Sequence, residues 1–131
     1  MEQIEVSTGG RQAFHDITNE VQAAISRSGV QDGVCFLFCL HTTAGLTVNE
    51  NWDPTVQQDI GTGLDAISPQ RPEYRHSEGN SPAHLKCSLI GPSQFVPVAG
   101  GKLVLGTWQG VYLAEFDGPR RRKVVVKVVE G

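Results

Sequence analysis

The sequence predicts an α+β domain, an antiparallel or mixed β-sandwich-like sheet carrying two or three helices. Three observations lead there. Apolar segments with a two-residue alternation or short apolar runs open the chain and fill its last third, segments with helical spacing lie among them, and Gly or Pro marks the joins. The 131 residues make one domain, residues 1–131, large enough for a single hydrophobic core.

Gln3 to Ser7 alternates, with Ile4 and Val6 on one face, and reads as a first strand. Ile17, Val21, Ala24 and Ile25 recur at helical spacing behind Asp16, the expected N-cap, and Gly29 ends that helix. Asp32-Gly33 turns the chain into the run 34–40, which is apolar at every position and reads as a central strand buried on both faces. Asp53-Pro54 starts a second helix, with Pro54 at the first helical position and Val56, Ile60, Leu64 and Ile67 forming the stripe. Gly61 and Gly63 each weaken it by about 1 kcal/mol relative to alanine. Residues 68–72 read as loop, and Pro82 opens a short helix from Ala83 to Leu89 that Gly91-Pro92 closes. Phe95 to Val98, Lys102 to Leu105 and Gly110 to Phe116 read as strands. In the last strand Val124, Val126 and Val128 face one way, Lys123 and Lys127 the other.

The composition, 39% hydrophobic and 19% charged, is that of a soluble globular protein. A net charge of −3 argues against a surface given over to nucleic acid. No apolar run approaches the roughly 20 residues of a membrane-spanning helix. The acidic, alternating N-terminus does not resemble a secretory signal, so the expected compartment is cytoplasmic. Cys35 and Cys39 lie along one strand and cannot bridge each other, and with Cys87 they are expected to be buried, reduced thiols.

Three polar clusters stand apart from these elements and suggest a polar, anionic ligand. Residues 73–86 hold His76, Glu78, Asn80, His84 and Lys86 around a Gly and a Pro. His41, His76 and His84, with Glu78 nearby, suit a divalent metal ion, or equally a set of hydrogen-bonding or acid–base groups facing a substrate. In residues 41–54, Asn49, Glu50, Asn51 and Asp53 lead into a helix N-terminus. Capping explains Asp53 and part of Asn51 but not Asn49 and Glu50. In residues 117–122, Arg120 follows Gly118-Pro119 and is the candidate bidentate phosphate ligand, with Lys86 as a second cation. Arg121 and Arg122 are divided between that role and a solvated patch. Gln109 beside Trp108 offers an amide to a ligand. Gly61-x-Gly63-x-x-Ala66 lies within a helical pattern, not at a strand–helix turn, and is not a dinucleotide fingerprint. His76-Ser77-Glu78 lacks the Pro-Cys-x-x-Cys half of a zinc-deaminase signature.

Taken together, His41-Thr42-Thr43-Ala44 through Asn49-Glu50-Asn51-x-Asp53-Pro54, His76-x-Glu78-Gly79-Asn80-x-Pro82-Ala83-His84-Leu85-Lys86, and Gly106-x-Trp108-Gln109-Gly110 through Glu115-Phe116-Asp117-Gly118-Pro119-Arg120 strongly resemble the YjbQ-type family, called secondary thiamine-phosphate synthases. The likeness covers nearly the whole chain. It implies a homotrimer with the polar clusters near subunit junctions. It also implies a weak ability to join a hydroxymethylpyrimidine diphosphate to a thiazole phosphate. Under that expectation Arg120, Lys86 and Glu50 are catalytic, Asn49, Asn51, Asp53, Asn80 and Gln109 hold the small phosphorylated heterocyclic substrate, and His41, His76 and His84 take a divalent metal. The alternative from another class is a non-catalytic module binding a small phosphorylated metabolite or a divalent metal.

Overall fold

The opening alternation forms strand β1 (Glu2–Ser7), and a computed structural model describes the whole chain, residues 1–131. After β1 come β2 (Ala13–Asp16), α1 (Thr18–Ser28), β3 (Gly33–Cys39), β4 (Ala44–Glu50), α2 (Thr55–Ile67) and α3 (Ser81–Ile90). The last third holds β5 (Ser93–Ala99), the two-residue β6 (Lys102–Leu103), β7 (Gln109–Glu115) and β8 (Arg121–Glu130). Two sheets form, one of five strands in the order β1-β8-β3-β5-β6 and one of three in the order β2-β7-β4. Every pairing is antiparallel.

The sheets face each other across the main core. Cys35, Leu37 and Cys39 of β3, with Val124 and Val126 of β8, meet Leu46, Val111 and Leu113, while Val21, Ala24 and Ile25 of α1 pack into the same cluster. A second cluster, Leu64, Ala83, Ala114 and Phe116 with Phe14, Ile60 and Ile90, joins α2 and α3 to the other face of the three-stranded sheet. That sheet is therefore covered on both sides. All three cysteines are buried and unpaired, as expected, and burial pushes the Cys35 thiol up to about 11.

The doubly buried strand is β7, not β3. From Gly110 to Glu115 every residue of β7 is buried. Strand β3 is central in its sheet, but Phe36 and Phe38 on its outer face, and Leu40 just beyond its end, remain 47%, 48% and 46% exposed in the single chain. Continuous hydrophobicity marks both kinds of strand, so the sequence could not tell a face covered by helices from one left open. Two further strands carry no clear sequence signal: β2, and β4, whose polar end reads as a site cluster alone.

The starts of α1 and α2 are each displaced by one residue, and α3 begins at Ser81, two residues before the expected Ala83. Asp16 does not occupy the position flanking α1, which Ile17 takes. Asp16 Oδ1 instead accepts the Thr18 N–H at 2.9 Å. Asp53 does the same for Thr55, and Pro54 lies just outside α2 instead of at its first position. These are short polar side chains capturing a free N–H two residues on.

Gly45 shows how closely α3 is drawn onto β4. A Cβ at this position would lie 2.7 Å from Gly91 O and 3.1 Å from Ile90 Cγ2, where the Leu46 N–H also bonds Gly91 O at 3.0 Å. Backbone meets backbone, so any side chain must push the helix off the sheet. Gly45→Val should cost about 1–3 kcal/mol by overpacking, read as a lower urea midpoint at unchanged slope. An unchanged midpoint would show that the end of α3 is not held against β4.

Candidate functional site

The three chain segments that follow β3, precede α3 and follow β7 converge at one corner. His41 lies just beyond β3, and the loop before α3 delivers His76, Glu78 and Asn80. His84 sits in the first turns of α3. The turn between β7 and β8 carries Asp117, the cis peptide Gly118–Pro119, and Arg120. His41, His76, His84, Glu78, Asn80, Asp117, Arg120 and Arg122, with Thr42 and Thr43, line one open cavity of about 420 Å³.

The imidazoles are not equivalent. His41 Nε2 accepts the backbone N–H of Lys123 at 2.8 Å, which assigns the proton of the neutral ring to Nδ1. Desolvation holds the His41 pKa below its ordinary value, and the positive charge of Arg122 lowers it further against the opposing pull of Glu115. His41 therefore stands as a neutral hydrogen-bond donor. His76 and His84 lie edge to face with ring centroids 5.3 Å apart, and His76 Nε2 is 3.8 Å from Glu78 Oε1. Arg120 is tied by its Nε to Asp117 O at 2.7 Å and by Nη2 to Asp117 Oδ2 at 2.9 Å, while half of its side chain stays exposed.

Beneath the cavity lies a buried ion pair that the sequence reading did not find. Arg122 occupies the inward position two residues before Val124, and its guanidinium bonds both carboxylate oxygens of Glu115 and the hydroxyl of Thr43. Glu115 also accepts the Thr8 hydroxyl at 2.7 Å and the Asp117 N–H at 3.0 Å. Burial pushes the Glu115 carboxyl up, but Arg122, Thr8 and the Asp117 N–H together outweigh it and hold the pKa below the usual carboxylate range. The signal was present in the register: Glu115 ends an otherwise apolar run, and Arg122 shares the inward phase of Val124 and Val126. Arg122 is thus no part of a solvated patch.

Of the remaining predicted residues only Asn80 reaches this cavity. Lys86 is buried in an adjoining cavity, where Nζ bonds Gln12 Oε1 at 2.7 Å and pairs with Asp65. Asn80 lines both cavities, and its Nδ2 bonds Asp117 Oδ2 at 2.8 Å. Asn49, Glu50, Asn51 and Asp53 lie at or just beyond the far end of β4, a strand about 20 Å long whose near end follows His41. There they shape a corner: Glu50 Oε2 accepts the Asp53 N–H at 3.2 Å, and Asn51 N–H bonds Trp108 O at 2.8 Å. Gln109 Oε1 accepts the Gly106 N–H at 2.8 Å. Trp52 and Trp108 meet edge to face at 5.7 Å beside them, both largely exposed.

A small antiparallel two-sheet α+β domain with an open histidine–arginine corner is the class that these features define. The chain belongs to the family described as UPF0047 protein YjbQ-like, whose model matches residues 2–131. Among its relatives are the UPF0047 protein YugU of Bacillus subtilis, 46% identical over 127 residues covering 96% of each chain, and the UPF0047 protein MJ1081 of Methanocaldococcus jannaschii, 48% identical over 125 residues covering 95% of this chain and 91% of that one. A crystal structure of a YjbQ/UPF0047 family protein from Clostridium acetobutylicum superposes with a TM-score of 0.95 at 52% identity, covering 98% of this chain and 100% of that chain. The conserved hypothetical protein TT1486 of Thermus thermophilus gives 0.92 at 47% identity, with the same coverage.

Two outcomes follow from the site's electrostatics. A histidine NMR titration should place the His41 midpoint below 6.5, because the folded ring resists protonation. The sign for stability is then fixed: the unfolded chain binds that proton first, so stability falls as pH drops from 6.5 toward the folded value. A His41 midpoint above 6.5 would remove the neutral-donor role. Arg122→Met should cost about 3–5 kcal/mol in urea, because it strands a buried carboxylate, and Arg122→Met with Glu115→Gln should recover part of the loss.

Proposed function

We propose that the protein is a weak thiamine-phosphate synthase that joins a hydroxymethylpyrimidine diphosphate to a thiazole phosphate. The observation that carries this reading is the convergence of His41, His76, His84 and Arg120 on one cavity, beside a second polar cavity across Asn80 and Asp117. The family resemblance supplies the substrate class. In the reaction the thiazole nitrogen forms a bond to the pyrimidine methylene carbon as the carbon–oxygen bond to diphosphate breaks, and that electron pair leaves on the diphosphate. Negative charge builds on the leaving group, and Arg120 and the neutral His41, both lining the cavity, are the donors that would stabilise it. No protein nucleophile is needed, so the buried cysteines are spectators.

A divalent metal belongs to this proposal in a narrower form than the sequence suggested. His76, His84 and Glu78 lie nearest to one another for this but would have to draw together to hold the ion, which would then neutralise diphosphate charge. His41 does not fit as a ligand while its Nε2 accepts from Lys123. No three His, Cys, Asp or Glu side chains stand together in ligand geometry in the single chain.

The homotrimer is part of the same reading. The outer face of the five-stranded sheet shows Phe36, Phe38, Leu40, Phe95 and Val129 to solvent, with Phe36 and Phe95 rings 6.4 Å apart. An apolar sheet face of this kind is what a neighbouring copy covers. A second reading, a module that holds a phosphorylated metabolite without turnover, draws on the tie between Arg120 and Asp117, which a ligand must compete against.

Turnover of purified protein decides between the two. Arg120→Ala should lower thiamine-phosphate formation by roughly 2–4 kcal/mol of transition-state stabilisation. Unchanged formation in a folded, normally assembled variant would remove Arg120 from the chemistry, and no product from the unaltered protein would favour the binding module. Sedimentation should show a species of three 14.2 kDa chains that Phe36→Glu disperses. A single-chain species from the unaltered protein would end the trimer.

A further inference from the structure

We infer that the cavity on the far side of the Asn80–Asp117 bond is a second binding lobe, built for a small molecule bearing an oxyanion. It has a volume of about 460 Å³ and is walled by Arg11, Lys86, Gln70, Asn80 and Asp65, among others. It shares Glu78, Asn80 and Asp117 with the histidine cavity, so the two are lobes separated by a partition of side chains.

Its cations are placed for a ligand. Lys86 is only 2% exposed although it lines this wall, and a lysine is retained at such burial only where its charge is answered. Its ammonium has three N–H donors, of which Gln12 Oε1 and Asp65 Oδ1 take two. Asp65 is half exposed and its carboxyl is held low by the bond to Lys86, so the carboxylate stays charged at the cavity wall. Arg11 lies at the rim, exposed, and takes part in none of the five ion pairs of the chain. Asp65, Glu78 and Asp117 also line the lobe, but Lys86 answers Asp65 and Arg120 answers Asp117, which leaves the guanidinium fork of Arg11 as the unpaired cation, a match for a phosphate or a carboxylate.

A separate observation concerns the partition. Asn80 Nδ2 donates to Asp117, a carboxylate that only accepts, so the amide cannot be turned the other way round. Its Oδ1 is thereby left as the buried side-chain polar atom without a hydrogen-bond partner. Such an acceptor has lost its water without gaining a partner, and an N–H on the bound molecule would satisfy it. The ligand class is therefore an oxyanion-bearing molecule with an N–H donor, small enough for the lobe.

For its purpose the inference rests on the transferase reading, since two lobes across one partition suit the joining of two phosphorylated molecules. Its test does not. Inorganic phosphate, and acetate at matched ionic strength, are titrated into the protein and followed by backbone amide NMR. Shifts at Ser68, Gln70 and Gly79 report the second lobe, and shifts at Thr43 and Lys123 report the histidine lobe. Arg11→Ala, which alters only an exposed side chain, should weaken the first set at least fivefold and leave the second within twofold. Lys86→Met should abolish the first set. If that variant does not fold, Arg11→Ala decides alone. The tighter of the two anions identifies phosphate or carboxylate as the natural group. Unchanged affinity at the first set in Arg11→Ala, or no shifts there with either anion, overturns the second lobe. Shifts that follow Arg11 in a protein that forms no thiamine phosphate would remove the transferase reading and leave this one standing.

Discussion

The corner that holds the site depends on one interaction, the buried ion pair of Glu115 and Arg122. Glu115 ends the central strand of the three-stranded sheet and Arg122 lies at the start of an inner strand of the five-stranded one, so the pair bolts the two sheets together at the strand ends. Taking both charges out of water carries a large penalty, offset only because nearly every lone pair and proton finds a partner. Those partners come from the segment after β1, the start of β4 and the turn after β7, through Thr8, Thr43 and Asp117. The segments that deliver the ligand-facing groups are thus fastened from below by a network whose members hold one another in place. A hydrophobic pair could have closed the sheets with equal stability. It could not have aimed a threonine, a turn N–H and an arginine at one point.

Much of the fold was legible in the sequence because the signals are local. Alternation found β1 and β8, helical spacing found α1 and α2, and turn chemistry found the ends of α3. What was not legible was set by partners distant in sequence. Strand β4 was masked by its polar end, whose side chains serve a turn and a helix start instead of a core. The apolar outer face of β3 and the full burial of β7 looked alike, because residue type does not report which neighbour lies opposite.

The site was legible in part for the same reason. His41, His76, His84 and Arg120 were found as polar groups without a local structural purpose, and they do share a cavity. The run from His41 to Asp53, however, reads as one motif while lying along a strand, so its two ends occupy opposite corners. Closeness in sequence brought the histidine and the asparagines together on paper, whereas the strand rise drives them apart. Lys86 was separated from Arg120 by the orientation of α3, which turns the lysine under the helix and toward Asp65. The Glu115–Arg122 pair escaped notice because each residue looked ordinary alone, and only the turn that carries the chain from β7 in one sheet to β8 in the other brings them together.

The burial of β7 has a consequence in time as well as in space. Its backbone is bonded on both edges, by β2 and by β4, and covered on both faces. Such a strand has no route to open by fraying, so its amides exchange with solvent only when the whole domain comes apart. Glu115 is its last residue, and through that position the floor of the histidine cavity inherits the slowest motion in the molecule. The ground on which the ligand-facing loops stand lasts as long as the fold itself.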